Sequence, residues 1–506
     1  MGSGIGWLDF DHDGWPDLYC CQGTSLNENS NNEHATNLLF RNREAEVFSD
    51  VTVAAGLLDT HYSMGVAAAD FDNDGFADLC VTGYGVNTLL HNQGDGTFNQ
   101  IEFPQRSVPG RLSASCAWAD IDADGSLDLY ITNYAQLGPE DYPICEHTAA
   151  EATIHIACHP SNLERLPDLL YRNTGDGQFT DISLTAGIVA EEARQGLGVI
   201  AADLDRDGDA DFYVANDTTS NYLWENRGDG QFMDRGPDSG TSTNRHGARE
   251  ACMGIAIGDV DGNGQFDLFV TNFYNETNTL YRNEGSLLFS DVTDELGLGA
   301  PSRLRLAFGV SLSDFDNDGW LDLFVANGHI HDRLHVIGRD EPFAQLAQVF
   351  YNEGGTRFRD ASDTSGAYFR EPHVGRGTAV ADYDRDGDAD VAVNQLNSDV
   401  ALLQNQTEKI GRWLRVELIG TESNRNGVGA TLQIDLGDRM LLRTVQAGGS
   451  YLSCDDGELL IGIGESDKVR KISVVWPGGR RESWHELTAD RLWRLVEGSG
   501  SETGAR

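Results

Sequence analysis

One nine-residue pattern, Asp-x-Asp-x-(Asp/Asn)-Gly-x-x-Asp, occurs seven times in the 506 residues, and it constrains the fold more than any other feature. Its first, third, fifth and ninth positions are Asp9, Asp11, Asp13 and Asp17; Asp70, Asp72, Asp74 and Asp78; Asp120, Asp122, Asp124 and Asp128; Asp203, Asp205, Asp207 and Asp211; Asp259, Asp261, Asn263 and Asp267; Asp314, Asp316, Asp318 and Asp322; and Asp382, Asp384, Asp386 and Asp390. Of these 28 side chains 27 are Asp, one third of the 81 acidic residues of the chain.

The spacing has a chemical reason. Alternate residues of a tight loop aim their carboxylates at one point, and the glycine in sixth position permits the sharp turn. Hard oxygen donors in that number suit Ca²⁺, so up to seven calcium ions are expected, the Asn263 loop having one charge fewer than the rest. Acidic β-turns without a cation would leave four carboxylates, or three in the Asn263 copy, repelling one another. The pattern is not an EF-hand: where that motif needs a bidentate Glu and an exiting helix, the twelfth position here is Cys20, Val81, Ile131, Val214, Val270, Val325 or Val393. Each loop therefore feeds a β-strand, as Asp128-Leu129-Tyr130-Ile131 does.

Around every loop the same order recurs: a strand such as Gly65–Ala69, the loop, a strand such as Leu79–Val81, a strand such as Leu89–Asn92, a Gly-Asp-Gly-x-Phe turn and a further strand. Four strands per unit, 58 Gly against 12 Pro, and loop starts 50 to 83 residues apart predict an all-β chain built as a seven-bladed β-propeller.

These calcium loops with Asn-x-Gly-Asp-Gly-x-Phe turns resemble the FG-GAP/VCBS repeats of integrin-α-like propellers. The segment from Trp413 to Val496, with Arg425-Asn426-Gly427-Val428-Gly429-Ala430, Gly448-Gly449-Ser450-Tyr451-Leu452-Ser453 and Val475-Trp476-Pro477-Gly478-Gly479, is similar to the ASPIC/UnbV domain. Together they resemble the cartilage acidic protein family, which implies a secreted protein. The expected organisation is a propeller over 1–408, an ASPIC/UnbV-like β-domain over 409–497 and a flexible tail over 498–506. Alternation in Leu414-Arg415-Val416-Glu417-Leu418 independently predicts a small β-sandwich in the second unit.

No strand of the Phe-x-Asp-Val type, such as Phe48-Ser49-Asp50-Val51, precedes the first loop. The last blade, ending at Gln404-Asn405, is therefore expected to need an outer strand from Trp413–Leu418 or from a segment upstream of this chain.

A net charge of −45 repels phosphate backbones, which excludes nucleic acid as a partner, and no apolar run is long enough to span a membrane. No export signal is visible in the chain, yet the calcium loops and the resemblance point to an extracellular or periplasmic location. Cys145 and Cys158, the two cysteines that share one irregular loop, are expected to form a disulfide, while Cys20, Cys80, Cys116 and Cys252 lie in strands as core thiols.

With the Asp loops joining first and second strands, all seven lie on one face, and ligand binding is expected on the other, where the blade 3 and blade 6 insertions lie. Arg111, Arg194, Arg305 and Arg376 on the connections of that face suggest an anionic glycan or protein ligand. His329, His331, Asp332 and His335 of the blade 6 insertion are residue types that hold a transition metal, but their spacing fits no strict i, i+4 template on a helix, and a plain loop is the expectation. Arg227-Gly228-Asp229 falls inside one of the repeated turns and reads as coincidence. The leading expectation is a calcium-stabilised binding or adhesion protein without catalysis. The alternatives are a polysaccharide lyase using His329, His331 or His373 beside an arginine, and a purely structural surface module.

Overall fold

The computed structural model describes residues 2–23, 36–104, 108–138, 143–149, 152–175, 177–407 and 410–502. Seven antiparallel sheets follow one another along the chain, each built on one Asp loop. Blade 1 runs Ile5–Leu8, Asp17–Cys20, Leu38–Arg43, Val47–Asp50, in sheet order equal to chain order, and blades 2 to 6 repeat it. The loop is a hairpin connection whose register sets Leu8 opposite Asp17, so its ninth residue is already the first residue of the second strand.

The first strands line the axis, which explains their small residues. A Cβ on Gly65, Gly198, Gly254 or Gly309 would come within 2.2 to 2.5 Å of a carbonyl oxygen of the next blade, so only glycine lets neighbouring blades approach this closely. Threonines of the second strands add links of the same direction: Thr132 Oγ1 donates to Leu197 O at 3.0 Å, and Thr271 Oγ1 to Phe308 O at 2.7 Å.

Blade 7 has three strands, Gly375–Ala381, Asp390–Gln395 and Ala401–Leu403. Trp413–Ile419 does not complete it. That strand pairs antiparallel with Leu459–Gly462 and parallel with Leu492–Val496, because its buried Leu414, Val416 and Leu418 face the core of the C-terminal unit. A second sheet, in the order Met440–Thr444, Thr431–Asp435, Lys468–Val475, Arg481–Thr488, Ser501–Glu502, covers the other side of that core, giving the sandwich expected from the alternation. Ser501–Glu502 pairs with Arg481–Thr488, so the segment after 497 contributes a strand where flexible chain was expected; residues 503–506 lie outside the described residues. Among the described residues no helix is long and apolar enough to cross a membrane.

The C-terminal unit rests on the Asp-loop face. Asn426 Oδ1 accepts from the Asp70 amide at 2.8 Å, Asn73 Oδ1 accepts from the Arg425 amide at 2.7 Å, and the Arg443 guanidinium donates to Gly319 O at 3.2 Å. From this platform residues 447–456 descend into the axis. Ser450 exchanges two backbone hydrogen bonds with Ile255, at 2.8 and 3.0 Å, and its Oγ accepts from the Val310 amide. Leu452 O accepts from Val66 N, Cys454 pairs with Ile5 and Trp7, and Asp456 N donates to Val380 O. Tyr451 and Leu452 are both 0 % exposed, packed with Met64, Leu112 and Phe308. The propeller axis is thus a filled core with the loop as its plug.

Candidate metal centres and the opposite face

Each Asp loop is a compact cage of backbone donors. In loop 1 the two carboxylate oxygens of Asp9 accept from the amides of Asp13 and Gly14 at 3.1 and 2.9 Å. Asp17 accepts from Phe10 N at 3.2 Å and from Asn42 N at 2.7 Å, and Asp13 accepts from Trp15 N. The same bonds recur around Asp70 and Asp78, Asp203 and Asp211, and Asp314 and Asp322. These bonds hold both carboxylate oxygens of Asp9 and of Asp17 in place.

Ligand-type oxygens converge as the spacing requires. Asp9, Asp11 and Asp13 offer oxygens within 4.8 Å of one another, as do Asp70, Asp72 and Asp78, Asp120, Asp122 and Asp128, and Asp203, Asp205 and Asp211. Three buried oxygens of the first and last loops, Asp11 Oδ1, Asp382 Oδ1 and Asp390 Oδ2, have no hydrogen-bond partner. Burial pushes the first-position carboxyls up, Asp9, Asp120, Asp203 and Asp382 to about 6 and Asp70 and Asp314 to about 7. The ninth-position groups rise further for the same reason: Asp17 and Asp390 to about 8, Asp78 to about 9, and Asp128, Asp211, Asp267 and Asp322 well above the carboxylate range. Desolvated carboxylates held this close stay charged only with a counter-cation, so these clusters could hold a metal ion.

Two partners escaped the sequence reading. The first is the residue before the asparagine of each third strand, which stands beside the cage. Arg41 pairs with Asp11 at 2.6 Å and Asp13 at 2.9 Å, Arg172 with Asp122 and Asp124, His91 with Asp72, and Gln404 with Asp384. In blade 4 this position is Glu225, which adds a small share of negative charge beside Asp205, a carboxyl that burial first and then Asp207 push up to about 6. The second is the asparagine itself. The side-chain amides of Asn42, Asn92, Asn173, Asn226, Asn283, Asn352 and Asn405 each donate at 2.8 to 2.9 Å to the carbonyl of the second loop residue in the preceding blade: Tyr383, Phe10, Phe71, Ile121, Leu204, Val260 and Phe315. The repeated Asn-x-Gly-Asp-Gly turn was visible in sequence, but its side-chain bridge crosses between blades and leaves no local trace.

On the opposite face the four expected ligand arginines do not gather into one exposed patch. Arg376 is 1 % exposed: its guanidinium lies 4.0 Å over the Phe308 ring and donates to the carbonyls of Gly328, Gly375 and His329, and burial lowers its pKa to about 10. Arg111 is 6 % exposed. Arg194 is held 3.8 Å over the Tyr222 ring and 3.0 Å from Asp234, while Arg305 is half-buried at another blade. These side chains pack the blades, and the expectation of an exposed arginine rim fails for Arg111 and Arg376 because the axis needs filling where they stand.

His329 is 1 % exposed and its Nδ1 accepts from the His331 amide at 3.0 Å, which puts the ring proton on Nε2, 3.8 Å from Glu341. His335 and Asp332 are exposed and His373 stacks on Tyr368 with ring centroids 4.0 Å apart. The His329 and His331 rings thus lie together, with centroids 5.4 Å apart, while His335 and His373 stand in other settings. Cys145 and Cys158 form the expected disulfide, with Cα atoms 5.2 Å apart, and Cys20, Cys80, Cys116 and Cys252 are buried thiols. The disulfide staples the hairpin Cys145–Ala149 and Ala152–Ile156, whose second strand packs on the 3₁₀ turn Leu334–Ile337, so the blade 3 and blade 6 insertions meet.

Comparison with known proteins agrees with this architecture. Residues 9–81, 70–131, 165–214, 203–270, 259–325 and 314–393 match the FG-GAP-like repeat, and residues 420–502 match ASPIC and UnbV. Cartilage acidic protein 1 of Xenopus tropicalis is 27% identical over 298 residues, 56% of this chain and 42% of that protein; the Homo sapiens protein is 26% identical over 331 residues, 63% and 46%. The chain thus spans about half the length of the curated relatives it matches. Among solved structures the BP39L lectin from Burkholderia pseudomallei superposes with a TM-score of 0.48 at 11% identity, over 79% of this chain and 95% of that one. With the repeat covering most of its length, the chain belongs to the FG-GAP-like repeat proteins and carries a C-terminal ASPIC and UnbV domain.

Proposed function

We propose that this protein is a secreted, calcium-stabilised binding or adhesion protein, holding up to seven Ca²⁺ ions in its Asp loops and meeting an extracellular glycan or protein ligand on the face opposite them. The observation that carries this reading is the placement of the C-terminal unit on the Asp-loop face, so that among the described residues it does not cover the other end of the propeller, where the blade 3 and blade 6 insertions meet. Hard oxygen donors from three carboxylates of a loop, converging within 4.8 Å of one another, support Ca²⁺ as the ion. The disulfide supports an oxidising compartment. The relatives' name, cartilage acidic protein 1, fits an extracellular acidic protein.

Calcium in this reading is structural. It lets the Asp cages stay ionised at neutral pH, and the cages in turn carry the contacts of the C-terminal unit, so binding stabilises both units by mass action. The test is thermal unfolding in 1 mM CaCl₂ and in excess chelator, followed by glycan-array binding in the two conditions. A transition many degrees higher in calcium, with calcium-dependent array signals, supports the reading. Identical transitions remove the calcium role, and an array silent in calcium removes the glycan ligand.

A further inference from the structure

The seven Asp loops share their ligand positions and differ in the charge that stands beside them. In loop 1 Asp13 Oδ1 accepts from Trp15 N, while Asp13 Oδ2 lies 2.9 Å from Arg41 and Asp11 Oδ2 lies 2.6 Å from the same guanidinium. Loop 3 repeats this arrangement: Asp124 Oδ1 accepts from Ser126 N, Asp124 Oδ2 lies 3.5 Å from Arg172, and Arg172 also pairs with Asp122. In loop 2 His91 Nε2 stands 2.8 Å from Asp72 and 3.6 Å from Asp74. A basic side chain therefore spans the third and fifth positions in the first three blades, and competes with an ion for those carboxylates.

Blade 4 inverts the pattern. Where the earlier blades hold a base it holds Glu225, half-buried and acting on Asp205, and the loop keeps all four of its aspartates. Arg235 is 4.0 Å from Glu225, beyond hydrogen-bond reach. Blade 5 is the opposite extreme. Asn263 stands for the fifth carboxylate, its Oδ1 accepting from Gln265 N at 2.7 Å and its Nδ2 donating to Asn283 O at 3.1 Å. Arg282, shared with Glu284, lies 4.0 Å from Asp261; Arg206 donates to Gly264 O at 2.9 Å; and the buried Arg443 opposes the upward push of burial on Asp259. Tyr351 and Gln404, the corresponding residues of blades 6 and 7, are neutral.

We infer that the third-strand residue sets the calcium affinity of the loop beside it, so that, on the calcium reading proposed above, the sites fill in a graded order, the Glu225 loop of blade 4 first and the Asn263 loop of blade 5 last. Oxygen cages are tuned over orders of magnitude by their ligand charge count. One unit charge a few ångströms outside the ligands changes the affinity for a divalent ion by roughly tenfold or more, because the attraction scales with the ion's double charge and these sites are partly desolvated. The seven loops serve as one another's controls, since their backbone hydrogen bonds are alike and the neighbouring charge is what changes.

The probe is calcium itself. The calcium-loaded full chain is brought to successively lower free calcium with buffered chelator, and amide exchange of each loop peptide is read by mass spectrometry. Residues 259–267 are expected to lose protection at a free calcium at least about tenfold higher than residues 203–211 do. Glu225→Arg should raise the midpoint of residues 203–211 by about tenfold or more and leave that of residues 259–267 in place, with Glu225→Gln in between; Asn263→Asp should lower the midpoint of residues 259–267. Equal midpoints for all loops in the parent, or an unmoved loop in Glu225→Arg, would overturn the grading while leaving calcium binding intact. Exchange that ignores calcium in every loop would overturn the calcium reading itself, and the grading with it.

Discussion

The Asn42 side-chain amide donates to the carbonyl oxygen of Tyr383 at 2.8 Å, and this bond joins the first blade to the last across 341 positions of sequence. The same amide also reaches Pro16 O, and Asn42 is fully buried, so the ring is closed by a satisfied polar bridge of the kind that links every other neighbouring pair.

Asn42→Ala is expected to destabilise the protein by about 1–3 kcal/mol, since it leaves two buried carbonyl groups without their donor. Asn42→Asp should cost more, because it aims a carboxylate oxygen at those same carbonyls. Urea unfolding of the two variants against the parent measures this, and a variant as stable as the parent would mean that ring closure does not depend on the bridge.

The plug couples the two units. Tyr451 meets the Phe308 ring edge-on with centroids 4.9 Å apart, and its side chain is enclosed in the axis. Tyr451→Ala should cost about 3–5 kcal/mol, as large-to-small changes at aromatic core positions do. Calorimetry of the parent is expected to show one transition for propeller and C-terminal unit together, and of the variant a lower or split one. Two well-separated transitions in the parent would show that the loop does not hold the units together.

Arg376 behaves in this structure as core. Arg376→Ala should destabilise by about 2–4 kcal/mol, because it removes the packing on Phe308 and three carbonyl contacts at once. A melting temperature unchanged from the parent would instead put the guanidinium at an accessible ligand-binding surface.

His329 predicts an acid-side loss of stability. Burial, with the neighbouring His331, Arg339 and Arg376 charges, lowers its pKa from 6.5 to about 4, while Glu341 stands 3.8 Å from Nε2. The unfolded chain binds this proton near pH 6.5 and the folded chain only near 4, so its stabilising contribution is complete above pH 6.5 and falls as pH drops through that window. Melting temperatures of the parent and of His329→Phe between pH 7.5 and 4.5 should diverge on acidification, the parent losing more. Parallel curves would show that His329 titrates alike in both states.

The disulfide lies outside the blades, in the blade 3 hairpin. Cys145→Ser with Cys158→Ser is expected to leave the main unfolding transition in place and to open the hairpin to limited proteolysis. A collapse of the main transition would make the staple part of the global core.

The seven Asp loops, the strands that flank them and the sandwich pattern of the C-terminal unit are legible in the linear chain. Each of these is written within a dozen residues: carboxylates alternate around a glycine turn, and apolar side chains alternate along a strand, so chain-local geometry is enough to read them. Long-range packing sets the rest: the C-terminal unit lies on the Asp-loop face, Ser450 and Tyr451 fill the axis, seven asparagines bridge neighbouring blades, Arg376 and Arg111 are core, and Trp413–Ile419 pairs within the C-terminal unit and not with blade 7. Those outcomes depend on surfaces assembled from residues hundreds of positions apart. An arginine on a connection between strands reads the same in sequence whether it meets solvent or, like Arg376, the ring of Phe308 and the carbonyls of a neighbouring blade.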